Sequence, residues 1–298
     1  MHLKKITYEE VKLRQQTDIK RKRDDWHWTK DLYNFYRNFS TPFTYMFVRL
    51  GISSSAVSIL NFFPNIVGFF FLSMGTYTSI IIGLLYFILF KTLDCSDGEV
   101  ARIQNSELAN PQKKITEGSY FDSVGHFIEP ICLAMGLGIG LFHLYSEEIY
   151  LILGVILAVI LTLEFALNEL VRSYFRRGII ERKIELKEDL KFVQKQLMEK
   201  IGGKPWSGQN IFLKTLGIYP QGLVYSREFF DPILIFLAIV EYILHNYIGF
   251  APVLYGYSWG ILPAYAVIVG IVKLIKISRF ILKLKKREYI TGFLNELQ

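Results

Sequence analysis

Residues 94–102 read DCSDGEVAR and residues 118–126 read GSYFDSVGH, and each run lies at one end of a strongly apolar segment. On helices, Asp94 and Asp97 would share one face, and so would Asp122 and His126. Ionisable groups are costly beside apolar segments, so these four side chains indicate a functional site, with helix caps and snorkelling charges as the alternative. Two such faces meeting across a helix pair would collect the four ligand-type side chains in one pocket.

The residue types in this pocket predict metal-dependent phosphoryl transfer. Carboxylate oxygens suit hard cations such as Mg²⁺, which in turn hold phosphates and neutralise a leaving group. Arg102 could bind a phosphate with two parallel hydrogen bonds, and it is the only Lys or Arg that we place to neutralise the acids. The small residues Gly98, Ala101 and Gly118 would allow close helix approach or leave room for a planar base.

The two runs together resemble the signature of the CDP-alcohol phosphotransferase (CDP-alcohol phosphatidyltransferase) family, D-x2-D-G-x2-A-R, a spacer, then G-x3-D-x3-D. The matching positions are Asp94, Asp97, Gly98, Ala101, Arg102, Gly118 and Asp122. The sequence departs from the pattern twice, with His126 in place of the last aspartate and a spacer longer than is usual in the family. The motif covers only residues 94–126, although the number and order of apolar segments are also similar to the family.

The resemblance implies an integral-membrane enzyme, a homodimer, that joins a CDP-alcohol donor to a hydroxyl-bearing acceptor and releases CMP, in phospholipid or related polar-lipid or surface-polymer synthesis. Asp94, Asp97 and Asp122 would then bind Mg²⁺ or Mn²⁺ and the diphosphate. The nucleotide would lie against four residues, namely Gly98, Ala101, Arg102 and Gly118. Neither the donor alcohol nor the acceptor is identified by the motif.

His126 stands where the family has a base that also shares in metal binding. An imidazole is well matched to deprotonating an alcohol near neutral pH and can also ligate metal. It carries no negative charge, so a second Mg²⁺ would bind less well and Mn²⁺ would be better tolerated. Glu129 lies three residues on, which suggests a His126–Glu129 dyad as the general base. The alternative is that His126 marks a degenerate, non-catalytic site.

The composition is that of an all-α polytopic membrane protein, with 51% hydrophobic residues, 15% aromatic residues and a positive mean hydropathy. The first apolar run starts after residue 50, so we expect no cleavable signal peptide. Cys95 and Cys132 both fall in predicted spans, which indicates no disulfide framework. Six segments approach the ~20 residues that a bilayer requires. We place the six spans at residues 53–73, 77–101, 119–144, 149–172, 230–247 and 254–281.

The positive charges are confined to one set of segments. All 34 lysines and arginines fall in residues 1–50, 91–114, 172–227 and 273–287. None falls in the loops near residues 74–76, 145–148 and 248–253. By the positive-inside rule, both termini and the motif face the cytoplasm of a cell membrane. The net charge of +7 would then face anionic lipid and substrates, which argues against a nucleic-acid partner.

We divide the chain into a basic, interfacial cytoplasmic segment at residues 1–50 and a transmembrane catalytic domain at residues 51–298. Basic residues followed by clustered aromatics predict that the first segment lies as an amphipathic element on the inner membrane surface, with a disordered tail as the alternative for residues 1–24. A cytoplasmic insert at residues 179–227 carries an apolar helical stripe. It would pack on the cytoplasmic face or another subunit, and a role in choosing the acceptor is open.

Two further polar faces fall on the fourth and sixth predicted spans. The first consists of Glu164, Asn168 and Arg172, and the second of Lys273, Lys276, Arg279 and Lys283. Arg172, Lys276 and Arg279 are the candidate contacts to a phosphate or an anionic acceptor. The alternatives are an interhelical hydrogen bond for the first face and snorkelling lysines for the second.

Two other classes of protein use acidic groups on membrane helices. Intramembrane prenyltransferases carry two Asp-rich motifs, but theirs are far apart in sequence and do not contain D-G-x-x-A-R. Cation transporters predict broken helices or symmetric halves, whereas here the acids cluster at one face of the membrane and no repeat is visible. Metal-dependent CMP release would distinguish the transferase from both.

Overall fold

The computed structural model describes residues 6–21, 27–106, 117–181, 227–244, 253–254, 257–258 and 261–285. Within these ranges the chain is helical apart from one antiparallel ladder of two-residue strands, β1 (Val253–Leu254) and β2 (Tyr257–Ser258). The helices are α1 (Tyr8–Arg21), α2 (His27–Arg49), α3 (Ser54–Leu60), α4 (Phe62–Ser73), α5 (Tyr77–Ser106), α6 (Glu117–Tyr145), α7 (Ile149–Glu181), α8 (Arg227–Ile243) and α9 (Ile261–Lys285). The expected all-α class is confirmed.

Four stretches of the described chain are long and apolar enough to cross a membrane. They are Ser54–Ser73, Tyr77–Gln104, Tyr120–Tyr145 and Ile149–Val171, in agreement with the first four predicted spans. The fifth and sixth predictions correspond to shorter apolar helices, Ile233–Ile243 within α8 and Pro263–Ile275 within α9. These features are compatible with an integral membrane protein, and the count of six spans stays a prediction.

Tight turns join the first spanning helices. Gly51 and Gly75 have φ angles of +69° and +72°, which glycine adopts without steric cost, and they follow α2 and α4. Ser53 then caps α3 by accepting a hydrogen bond from the Ala56 backbone N–H at 3.2 Å. These turns set the order of the bundle, with the motif residues at one end, the motif end, and the turns at residues 74–76 and 146–148 at the other, the far end.

Glycines set the spacing of the helices toward the far end. A Cβ added at Gly138 on α6 would lie 2.8 Å from the Cα of Gly154 on α7. A Cβ at Gly68 on α4 would lie 3.1 Å from the carbonyl oxygen of Gly83 on α5. Helices in lipid gain stability from such close backbone approach, because burying apolar side chains gives no advantage there. The core beside these contacts is formed by buried residues that include Leu72, Leu84, Phe87, Leu137 and Tyr150.

Helix α2 packs on the motif helix α5 through a buried polar contact. The Glu99 carboxylate accepts hydrogen bonds from Thr44 Oγ1 at 2.7 Å and from Ser40 Oγ at 3.2 Å. The exposed side chains of α2 include Phe35 and Phe39. The expected contact between this segment and the bilayer surface stays a prediction, whereas its contact with α5 is a finding that the sequence did not suggest.

The buried Glu241 carboxylate of α8 makes a hydrogen-bonded contact at the far end of the bundle. Tyr145, the last residue of α6, donates its hydroxyl to Glu241 of α8. Tyr77, the first residue of α5, lies with its hydroxyl 3.3 Å from that of Tyr145. Because Glu241 is near the carboxyl end of α8, this helix reaches the same end of the bundle as the start of α5.

Candidate functional site

The two motif helices bring Asp94, Asp122 and His126 together. His126 Nε2 lies 3.4 Å from Asp94 Oδ1 and 3.3 Å from Asp122 Oδ1. One ligand atom from each of the three residues lies within 4.8 Å of the other two, and all three side chains are half-buried. The expectation that the two motif halves meet across a helix pair is confirmed for these three residues.

Gly125 of α6 lies in ordinary van der Waals range of α4 and α5 at this point. A Cβ added at Gly125 would meet only aromatic carbons among the described residues, Phe90 at 3.5 Å and Phe62 at 3.9 Å. The glycine precedes His126, so the imidazole emerges from α6 where α4 and α5 both come close. The crossing of the helices therefore positions the ring beside Asp94.

Aromatic rings border the imidazole. The His126 ring packs edge-on against Phe90, with centroids 6.0 Å apart, and beside Phe165 of α7 at 5.8 Å. Phe165 in turn packs edge-on against Phe127 at 4.7 Å. Between these rings the imidazole directs Nε2 toward the two aspartates, which is the orientation that a ligand or a base needs.

Glu129 lies beside His126, but the two are not joined by a short hydrogen bond. The distance from His126 Nδ1 to Glu129 Oε2 is 3.8 Å, which exceeds the range of an N–H···O hydrogen bond. The other oxygen, Oε1, lies 3.8 Å from Lys91 Nζ. Lys91 was not named in the sequence interpretation, which considered only cations that could neutralise the three aspartates. The sequence feature that could have indicated it is a lysine within an apolar run, one helical turn before Asp94.

Asp97 does not join the three-residue cluster. It is buried, and its Oδ2 accepts a hydrogen bond from Ser58 Oγ of α3 at 2.7 Å. Asp97 is nonetheless close enough to Asp122 and His126 to interact with both electrostatically. The structure thus places the four predicted ligands near one another but turns one of them toward α3. Ser58 carried no recognisable signal, because its role depends on how α3 packs against α5.

The predicted nucleotide residues lie along the same end of the two helices. A Cβ at Gly98 would come within 4 Å of only one atom in the described chain, Arg102 Nη1 at 3.5 Å. Of the two roles considered for Gly98, this favours open space for a ligand over close helix packing. Arg102 is exposed, Ala101 is half-buried, and Gly118 belongs to the first turn of α6.

The more distant candidate contacts are only partly described. Arg172 lies on α7, and Lys276 and Arg279 lie on α9, but their side chains are outside the described part of the chain. Lys273 Nζ lies 2.8 Å from Glu164 Oε2, and both side chains are largely buried. This contact favours the interpretation that Glu164 takes part in an interaction between helices. It also shows that Lys273 pairs with Glu164 and does not snorkel to the membrane surface. Most of the insert predicted at residues 179–227, from residue 182 to residue 226, is also outside the described ranges.

The cluster fits a divalent cation. Ligand atoms lie about 2.1 Å from Mg²⁺, so neighbouring ligands of one ion are about 3 Å apart and opposite ones about 4 Å apart. The distances of 3.3 and 3.4 Å between His126 Nε2 and the two carboxylates agree with that spacing. Two carboxylates and an imidazole form a mixed O,O,N set, which suits Mn²⁺ at least as well as Mg²⁺.

Comparison of the chain with protein-family models and with curated proteins found no match. Function must therefore be argued from the chemistry of the side chains at the motif end of the bundle.

Proposed function

We propose that this protein is an integral-membrane, metal-dependent transferase that joins a CDP-alcohol to a hydroxyl-bearing acceptor and releases CMP. The observation that carries the proposal is the meeting of Asp94, Asp122 and His126 from two helices. The residues beside that cluster follow the order of the CDP-alcohol phosphotransferase signature, which the sequence resembles at seven positions. A cluster of this composition within apolar helices is costly unless it binds a charged ligand.

The roles of the residues follow from their positions. Asp94, Asp122 and His126 would hold Mg²⁺ or Mn²⁺, with Asp97 beside them, and the metal when bound would neutralise the diphosphate and the departing CMP. Arg102 would bind a phosphate oxygen, because its exposed guanidinium lies over Gly98. The open space at Gly98 would accept part of the nucleotide.

His126 would serve as the general base where Asp94 and Asp122 alone hold the cation, because the single lone pair of Nε2 cannot bind a metal and accept a proton at the same time. Its Nε2 faces the acid cluster, where an acceptor hydroxyl would lie in line with the phosphorus. On taking that proton, Nε2 would form a cationic imidazolium, which the two aspartates and Glu129 would stabilise. The 3.8 Å between Nδ1 and Glu129 Oε2 would need to close by less than 1 Å to form a hydrogen bond.

The membrane arrangement extends the same proposal. The described spans account for four crossings, and α8 and α9 would supply the fifth and sixth. The Tyr145–Glu241 contact supports a crossing by α8, because it brings the carboxyl end of that helix to the far end of the bundle. With the basic segments on the cytoplasmic side, the site would open to the cytoplasm, residues 1–50 would line the inner surface, and the protein would act as a homodimer.

The test is CMP release by the purified protein. A panel of CDP-alcohols would be offered with Mg²⁺ or Mn²⁺, and with EDTA, to the wild type and to the Asp122→Asn variant. We expect release that requires both metal and Asp122. The CDP-alcohol that gives the fastest release would then identify the donor alcohol.

Two results would contradict the proposal. Release that is insensitive to EDTA and to Asp122→Asn would exclude the metal mechanism. Neither release nor nucleotide binding with any donor would favour the degenerate site, in which His126 replaces an essential aspartate. Binding without release would call for a second panel of hydroxyl acceptors, and an intramembrane prenyltransferase would release diphosphate instead of CMP.

A further inference from the structure

One face of the α3–α4 span is buried along its length. Its residues recur at alternating spacings of three and four, so they form a single stripe along the helix. The stripe consists of Ser58, Asn61, Asn65, Gly68 and Leu72, all of them buried. Two asparagines in the middle of such a stripe are unusual, because amide groups are costly in an apolar interior unless they bind something.

The two ends of the stripe show which way it faces. At one end, Ser58 donates its hydrogen bond to Asp97 of α5. Toward the other end, a Cβ at Gly68 would meet the Phe87 ring of α5 at 2.8 Å. Leu72 comes close to α6, where a Cβ at Gly136 would lie 3.1 Å from its own Cβ. The stripe therefore faces the groove between α5 and α6.

The same contacts give the level of Asn61 along that groove. Ten residues separate Ser58 from Gly68 and ten separate Asp97 from Phe87, so the two helices run antiparallel in matched register. Three residues beyond Ser58, Asn61 lies at the level of Asp94. Its neighbour in sequence, Phe62, packs near Gly125 of α6, which precedes His126. Asn61 thus lies at the level of the three-residue cluster.

The side chain of Asn61 is 4% exposed, and within the described part of the chain no hydrogen-bond partner lies within reach of its Oδ1. A buried amide oxygen in a stable core nearly always accepts a hydrogen bond or binds a cation. The main-chain N–H of Asn61 is satisfied by the Val57 carbonyl oxygen at 3.0 Å, and although Asn61 immediately precedes α4, its side chain makes no capping hydrogen bond to that helix. A buried amide oxygen at the level of two carboxylates and an imidazole is a natural additional ligand for a hard cation.

We propose that Asn61 is a further cation-binding residue, whose Oδ1 binds, directly or through a water molecule, the divalent ion held by Asp94, Asp122 and His126. The inference rests on the proposed metal-dependent function and adds to it a neutral ligand from a third helix. Asn61 lies outside the DCSDGEVAR and GSYFDSVGH runs, so the motif does not contain it. With Ser58 on Asp97 and Asn61 on the cation, the α3–α4 span forms the third wall of the site.

The experiment is a Mn²⁺ titration of the purified full-length protein, with free Mn²⁺ measured by electron paramagnetic resonance. We expect Asn61→Leu to weaken Mn²⁺ binding by about tenfold or more, as loss of a supporting ligand does at other metal sites. Asn61→Asp should tighten binding, because it adds a charge at the same atom. Tighter binding also distinguishes a ligand from a structural amide, whose replacement by a carboxylate would only disrupt packing.

Asn65 provides the matched control. It is 0% exposed, and its Oδ1 and Nδ2 also have no hydrogen-bond partner in the described part of the chain, so it differs from Asn61 in its level alone: it lies on the same stripe one turn further on, about 6 Å along the helix axis. Asn65→Leu and Asn65→Asp should leave the Mn²⁺ affinity within about twofold of the wild type, because Asn65 lies beyond direct reach of a cation at the cluster. Equal effects from the Asn61 and Asn65 pairs would overturn the proposal.

The failures of the two proposals are distinguishable. If the wild type binds Mn²⁺, loses it in Asp122→Asn and keeps it in both Asn61 variants, only the role of Asn61 is overturned. If the wild type binds no Mn²⁺ at all, the proposed function and the role of Asn61 fall together. A thermal melt of each variant identifies a protein that has not folded. If Asn61→Leu does not fold, the Mn²⁺ affinity of Asn61→Asp decides whether Asn61 is a ligand.

Discussion

Lys91 and Glu129 face each other between the two motif helices, with Nζ 3.8 Å from Oε1 and Glu129 only 2% exposed. Removing one partner from a buried pair strands the other charge, which typically costs about 3–5 kcal/mol. We therefore expect Lys91→Met to lower the stability of the protein by that order. The double variant Lys91→Met/Glu129→Gln should recover much of the loss, because no buried charge is then left alone. Thermal unfolding in detergent measures both, and a double variant no more stable than Lys91→Met would contradict the ion-pair account.

The neighbouring contact of Glu129 gives a prediction about activity. If His126 is the base, His126→Ala should reduce CMP release by about 100-fold or more, within the usual contribution of a positioned base. Glu129→Gln should cause a smaller loss and alter the dependence of the rate on pH, because the imidazolium loses an anionic neighbour. Full activity and an unchanged pH profile in Glu129→Gln, beside an inactive His126→Ala, would show that His126 acts without Glu129.

The contact between α2 and α5 is open to a matched pair of substitutions. Thr44→Val removes a hydroxyl that donates to the buried Glu99 carboxylate, and we expect a loss of about 1–3 kcal/mol. Thr41→Val is the control, because the Thr41 hydroxyl donates at 3.1 Å to the Arg37 carbonyl oxygen of its own helix. Chemical unfolding of the two variants gives the comparison. Equal losses would indicate that the Thr44–Glu99 hydrogen bond adds no more stability than a hydroxyl bonded within its own helix.

The glycine contact between α6 and α7 predicts a steric effect. A Cβ at Gly154 would lie 2.9 Å from the Cα of Gly138 and 3.0 Å from the Ala134 carbonyl oxygen, so Gly154→Ala should force the helices apart. Overpacking of this kind costs about 1–3 kcal/mol. At Gly270 of α9, an added Cβ would meet, among the described residues, only the flexible tips of Leu157 and Ile160, at 3.7 and 3.8 Å. Gly270→Ala should therefore be tolerated, and similar melting temperatures for the two variants would argue against backbone contact as the cause.

The proposed orientation can be tested by labelling single cysteines in intact cells. With Cys95 and Cys132 replaced by alanine, Glu148→Cys at the far end should react with a membrane-impermeant maleimide from outside. Asn110→Cys, which follows the first motif run in sequence, should react only after the membrane is permeabilised. Labelling of Asn110→Cys in intact cells would reverse the orientation that the positive charges predict.

Local patterns in the sequence were sufficient for four spans and for the meeting of Asp94, Asp122 and His126, because hydropathy and helical spacing depend on neighbouring residues alone. They were insufficient for Asp97. At 100° per residue, Asp94 and Asp97 are about 60° apart around the helix, so one faces α6 and the other α3. Lys91 and Ser58 were missed for the same reason, since their partners are chosen by helix packing.

The contrast between the two ends of the bundle has a consequence for mutational scanning. At the far end, helix spacing is set by glycine backbones such as Gly138 and Gly154, where nearly any larger residue collides with main chain. At the motif end, Asp94 and Asp122 belong to the proposed metal site, where two carboxylates repel one another in the absence of a cation, so neutral replacements should relieve that repulsion. In a mutational scan that measures protein abundance and enzymatic turnover separately, the two ends of the bundle should therefore give different results. Damage near the glycines would appear as missing protein, and damage near the acids as protein that accumulates without activity.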